Sequence, residues 1–287
     1  MLLKFAPLLG AAVFFSAGQA HATLSSASAQ ASIDWSGLKV QLIDLDTSDG
    51  ITPTFTWTSQ NTGANANASN ANPAANASAG NSTSSWGSGF SNSAVTPYSS
   101  GAYSASATAT NASATAQGNY AGTSCPLYYC YPQTNTASSN NNRSGSFTLS
   151  GKGIAIVSLP WSIQASANPG STTTAYPYYY FNLTSASANA NISATYTTSG
   201  GTTVTANSNN SVGNPYYYYS SMPYSDSKSG TFSFAIYNDS GATLTGSLSS
   251  NLSTSATAVL SPVPEAQTWS LMLAGLGLLG LRLRRRG

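Results

Sequence analysis

The clearest pattern in the chain is a run of strict alternation. Ala186, Ala188, Ala190, Ile192, Ala194 and Tyr196 are apolar, and Ser187, Asn189, Asn191, Ser193 and Thr195 between them are polar. A period of two places each set on its own face of a β-strand. The same period recurs along 147–163, where Phe147 and Leu149 lead in, Gly151 and Gly153 interrupt, and Val157, Leu159, Trp161 and Ile163 follow in one phase. Phe232, Phe234 and Ile236 predict another strand. Within 32–57, Leu38, Val40 and Leu42 predict a strand, residues 46–50 a turn, and Ile51, Phe55 and Trp57 a second strand opposite a row of threonines. Leu244, Leu248, Leu252, Ala256, Ala258 and Leu260 all stand at even positions; their Ser/Thr-rich setting favours one or two strands over a helix. Residues 104–116 alternate alanine with polar residues and change phase at Asn111, which predicts a β-bulge in thin strands at a sheet edge. Residues 60–85 read as a long loop or a strand of small residues. Eight to ten strands with turns between them and no helix in the body predict an all-β fold, an antiparallel sandwich or jelly-roll-like domain.

Both ends of the chain differ from this body. Met1-Leu2-Leu3-Lys4, an apolar run over 5–17 and Ala20-His21-Ala22 predict a signal peptide over 1–22, cut after Ala22 at the site formed by Ala20 and Ala22. At the other end, Val263, Pro264, Glu265 and Ala266 precede a Trp-led apolar segment, and Arg282, Arg284, Arg285 and Arg286 follow it. As a helix the apolar segment would span about 27 Å, close to a bilayer core of about 30 Å. Arginines on one flank hold that flank in the cytoplasm as a membrane stop, which leaves the body outside. This order of motif, transmembrane helix and arginine cluster over 263–287 resembles the PEP-CTERM sorting signal, with Ala266 in place of the second proline. The resemblance implies a membrane-embedded, exosortase-like transpeptidase as processing partner. It also implies an inner-membrane stage, and the cell surface or an exopolysaccharide matrix as destination. It gives an address and leaves the work of the extracytoplasmic domain, residues 23–262, to be argued separately.

Charge and composition narrow that work. Charged residues make up 6% of the chain, and between the two ends four bases face six acids. No basic stripe exists for nucleic acid. The only histidine is His21 in the leader and the only glutamate is Glu265 in the tail. The mature body therefore lacks the base that Ser- or Cys-nucleophile chemistry requires and the ligands of a common zinc site, so no enzyme and no cofactor is predicted. Asp46-Thr47-Ser48 and Asp239-Ser240-Gly241 each look like half of an aspartic-protease signature and read better as turns. Asp44, Asp46 and Asp49 form a weak candidate for Ca²⁺, spaced unlike an EF-hand, so the assigned metal is none.

Two features remain. Cys125 and Cys130 are the only cysteines, and in an exported chain they predict a disulfide. Tyrosines cluster around Tyr178 and Tyr180 and around Tyr216 and Tyr218, where alternate rings would offer a ligand surface suited to sugars. The favoured reading is a non-catalytic envelope or biofilm-matrix structural protein, with exopolysaccharide or envelope components as partners. A carbohydrate-binding or adhesive module is the alternative, and an ice-binding-like surface of Thr, Ser and Asn rows is a third. Thiol labelling of the exported protein should find Cys125 and Cys130 only after reductant; labelling without it would remove the disulfide.

Overall fold

The computed structural model describes residues 25–71, 74–86, 91–95, 104–108, 111–117, 133–169, 184–213 and 223–260, all within the compact unit Thr23–Pro262. The predicted signal peptide over 1–22 and the predicted transmembrane helix and sorting tail over 263–287 lie outside the described residues. Thirteen strands form two wholly antiparallel sheets. The first contains β1 (Ser26–Ile33), β2 (Lys39–Asp44), β5 (Ser91–Val95), β6 (Ser104–Thr108), β7 (Asn111–Gln117), β9 (Gly153–Asn168) and β12 (Tyr224–Asn238), in the order β12-β9-β1-β7-β6-β5 with β2 also on β9. The second contains β3 (Thr54–Ala71), β4 (Ala74–Thr83), β8 (Gln133–Ser150), β10 (Ser185–Thr197), β11 (Thr203–Gly213) and β13 (Leu244–Leu260), in the order β11-β10-β13-β8-β3-β4. Their inner faces share one core, which makes the architecture a sandwich.

Alternation decides which residues enter that core. All the apolar positions of 186–196 are buried in β10, and the even positions of 244–260 lie along one face of a single long strand. Over one half of the sandwich the facing side chains are alanines: Ala27, Ala29 and Ala31 on β1, Ala112, Ala114 and Ala116 on β7, Ala64, Ala66 and Ala68 on β3. Over the other half they are large, with Phe147, Leu149, Leu159, Ile236, Phe232 and Phe234. A bulge between Trp57 and Ser59 lets β3 serve both halves, because it changes which parity faces inward.

Four sequence expectations change here. The phase change at Asn111 is a hairpin and not a bulge: Ala105 and Ala107 pair with Ala114 and Ala112 across β6 and β7. β7 is no edge strand, since it lies between β1 and β6 with its alanines fully buried; small side chains are what allow the facing sheet to close over it. Residues 60–85 form neither a loop nor one strand but most of the β3–β4 hairpin, whose inward alanines alternate with outward asparagines. Ile51 also stands outside β3 and is exposed, while Phe55 and Trp57 face the core as predicted.

Register gives the sandwich two distinct ends. Ser26, Gln117 and Asn168 are level with one another, Tyr224 is level with Ala167, and in the other sheet Gln133 pairs with Leu260 and Ser187 with Gly213. This proximal end holds both ends of the described chain and the strand ends that flank 118–132, 170–183 and 214–222. The distal end holds the turns at 45–53, 151–152, 198–202 and 239–243. There β8 passes to β9, and so from one sheet to the other, through Gly151 at φ +76°. Asn238, buried on β12, pins that crossing: its amide Nδ2 donates to the carbonyls of Leu149 (3.1 Å), Gly151 (2.9 Å) and Ala242 (2.9 Å), and its Oδ1 accepts from the Ser240 N–H (3.2 Å) and hydroxyl (3.0 Å). Asn238→Asp would aim a carboxylate at three carbonyls. It should destabilise the fold by about 3 kcal/mol or more in denaturant titration, well beyond an ordinary lost hydrogen bond of about 1 kcal/mol.

Candidate functional site: an uncharged polar sheet face

The outward face of the second sheet is built from one residue class. Because nearly every inward alanine or leucine is followed by Ser, Thr or Asn, and register aligns the strands, the outward residues fall into rows. Asn142, Asn251, Asn191 and Asn209 stand side by side on β8, β13, β10 and β11. The next row holds Asn65, Asn140, Ser253, Asn189 and Ser211, and the row on the other side Asn61, Ser144, Ser249, Ser193 and Asn207. Strand geometry spaces same-face residues by about 6.7 Å along a strand and by about 4.8 Å across. Neighbours tie one another down: the Asn251 amide donates to Asn142 Oδ1, Asn189 Nδ2 donates to Ser253 Oγ (3.3 Å), and the Thr195 and Thr205 hydroxyls share a bond of 3.3 Å. No charge and no large apolar side chain stands in these rows.

The face holds a notch of about 320 Å³ where β4 ends at Thr83 and leaves β3 and β8. Asn61, Gly63, Ser82, Ser84, Asn142 and Ser144 line it. Beyond Thr83 the chain turns inward and lays Trp86 over Gly145, where a Cβ would come within 2.5 Å of the ring. Trp86 Nε1 donates to the Ser144 carbonyl at 3.0 Å. Beneath the notch lies Arg143, only 3% exposed. Its Nε donates to Thr62 Oγ1 at 3.2 Å and its Nη2 to the Trp86 carbonyl, while the guanidinium lies 5.1 Å from the Trp35 ring centre and 5.9 Å from that of Trp86. Burial pulls its pKa down from the ordinary guanidinium value. All six aspartates of the body are described, and none lies in ion-pair range of Arg143. Carbonyl and hydroxyl dipoles and two indole faces balance the cation instead. Trp35 is positioned by Asp34, whose carboxylate accepts from the Ser36 and Gly37 N–H groups at 3.0 Å and from the Ser36 hydroxyl. The Ser36 hydroxyl, then the Gly37 N–H, lowers the Asp34 pKa.

The aspartates singled out from sequence are engaged in local turns. Asp44 accepts from the Asp46 N–H (2.9 Å), and Asp49 from the Ile51 N–H (2.7 Å). Asp46 accepts from the Ser48 hydroxyl (2.6 Å) and pairs with Lys152 Nζ (2.9 Å). Among the described residues no three His, Cys, Asp or Glu side chains converge as a metal site would require. Asp239 takes the Ser199 hydroxyl at 3.3 Å, a partner different from those of Asp46. Ala20, Ala22, Cys125, Cys130, Tyr178, Tyr180, Tyr216, Tyr218, Val263, Pro264, Glu265, Ala266, Arg282, Arg284, Arg285 and Arg286 lie outside the described residues. Among the described residues no helix is long and apolar enough to cross a membrane. The Arg143–Trp35–Trp86 cluster was not legible in sequence: Arg143 follows three asparagines, so polar residues occupy both phases of its strand.

A family model for the PEP-CTERM protein-sorting motif matches residues 262–286. No curated protein and no solved structure matches the chain. The body's chemistry therefore rests on its own geometry, and one part of it responds to pH. The Ser48 hydroxyl first, and then the Lys152 ammonium, lower the Asp46 pKa from 3.8 to about 2. A depressed carboxylate stabilises the fold above its unfolded value and ceases to do so as pH falls through the folded one. Acid titration of thermal stability should show a component lost between about pH 4 and pH 2 that Asp46→Asn removes.

Proposed function

We propose that this chain, exported under its PEP-CTERM signal, is a non-catalytic protein of the cell envelope or exopolysaccharide matrix. The motif at 262–286 implies an exosortase-type sorting system, with an exosortase as processing partner and membrane anchoring before processing. What the body would contribute is its outward face. A surface of hydroxyls and amides without charge favours neutral, hydroxyl-rich matter such as polysaccharide, because each side chain both donates and accepts. Ionic ligands find no counter-charge there, and apolar ones no patch.

The observation that carries this reading is the registered Asn, Ser and Thr array across five strands of one sheet. The absence of His and Glu between residues 23 and 262 supports the non-catalytic part. A second reading, binding to ice, is favoured by the same regular Thr, Ser and Asn rows, and thermal hysteresis separates the two. Fractionation of cells should place the full chain in the envelope or matrix, and a chain ending at residue 262 should lose that placement. Native exopolysaccharide should retain the exported protein, and Asn191→Lys with Asn251→Lys, two charges placed in the central row, should lower retention about tenfold. Equal retention of the variant would end the proposal for the face, and unchanged localisation of the shortened chain would end the one for sorting.

A further inference from the structure

The distal end carries a second surface of opposite character. Leu42, Ile43, Leu45, Ile51 and Tyr237, all large and exposed, stand there. Ile43, Ile154 and Tyr237 lie abreast on β2, β9 and β12, and Gln41, Ile156 and Ala235 form the adjoining row on the same outward face. Ile43 and Tyr237 keep 40% and 48% of their surface exposed. β2 itself pairs only with β9, so among the described residues its other edge presents unpaired backbone groups. An open edge beside an apolar row is a template for strand pairing, and neither proline nor a central lysine blunts this one.

Three internal segments of the chain are anchored away from this surface. Residues 118–132, 170–183 and 214–222 each start and finish at the proximal end. β9 runs 16 residues between the two ends, about 50 Å of strand. A 15-residue segment tethered at both ends extends at most about 25 Å from its anchor points.

We propose that the distal end is a homotypic contact, occupied by the distal end of a second copy of this chain with the two β2 edges antiparallel. The two-fold operation suits the sequence of the edge. Antiparallel pairing brings the Lys39 end of each β2 to the Asp44 end of the other, keeps like charges apart, and leaves Val40, Gln41, Leu42 and Ile43 in the middle. Both chain ends of each body lie proximally, so two copies meet distally without obstructing either attachment. Five half-exposed side chains offer on the order of 400 Å² per copy, about half of a standard stable interface. The contact is therefore weak between free molecules and becomes populated where many copies share one surface.

The test uses the full chain exported by its own cells. With Gln41→Cys, at the middle of the strand where the two-fold would bring the two copies of the residue together, mild oxidation should give a disulfide-linked dimer on a non-reducing gel. Ser253→Cys, on the polar face of the other sheet, should leave the chain monomeric. Adding Leu42→Lys, a central lysine on the edge, to Gln41→Cys should lower the dimer at least fivefold, with export level and melting temperature checked against the single variant. A monomer with Gln41→Cys, a cross-link at that position to a different protein, or equal dimer from Ser253→Cys would each overturn the proposal.

Discussion

Alanine against alanine is the contact on which much of this sandwich depends. Where Ala29, Ala114 and Ala66 face inward, each side chain removes little apolar surface from water. Such a core gains less per residue than one of leucine and valine, so stability has to come from close approach of the two sheets and from length. The strands supply the length, with β3 and β8 running 18 residues each. Each additional pair in a ladder adds backbone hydrogen bonds and another buried methyl group. The aromatic half does the opposite: few residues, large burial, and rings such as Phe55 and Phe147 stacked at 5.0 Å.

The same economy explains what could be read from sequence. β10 and β12 were legible because apolar and polar residues alternate and the apolar ones are large or unbroken. β8 over 133–146, β11 and the β3–β4 hairpin were obscure because both of their faces carry small or polar residues, so period two leaves little contrast. The hairpin at Asn111 was misread for a related reason. A change of phase records that the strand's facing has switched, and it does so equally for one extra residue within a strand and for a reversal of the chain. Of the candidate site, the uncharged composition was evident, but the assembly of Asn142, Asn251, Asn191 and Asn209 into one row depends on long-range register that no local pattern encodes.

Arg143 shows how a nearly charge-free body accommodates a buried cation. β5, β6 and β7 are short, so beyond them the inner face of β3 and β8 must be covered by something other than a strand. Trp35 from the turn after β1 and Trp86 from the chain after β4 take that place, tilted against each other at 4.6 Å. The guanidinium fills the space beneath them, bonded to Thr62 and the Trp86 carbonyl and lying 5.1 Å from the Trp35 ring centre. Its planar shape and weakly hydrated charge suit this position between rings better than an ammonium would.

The placement of the basic residues has a consequence for survival after export. A protease that cuts after lysine or arginine needs several residues of accessible, unpaired backbone around its target. In residues 23–262 it would find four such side chains. Arg143 is sealed in the interior, Lys39 and Lys228 belong to hydrogen-bonded ladders, and Lys152 occupies the two-residue turn at Gly151 and is held by Asp46. The folded body thus offers enzymes of that specificity almost no purchase, a form of durability that comes from composition and register together.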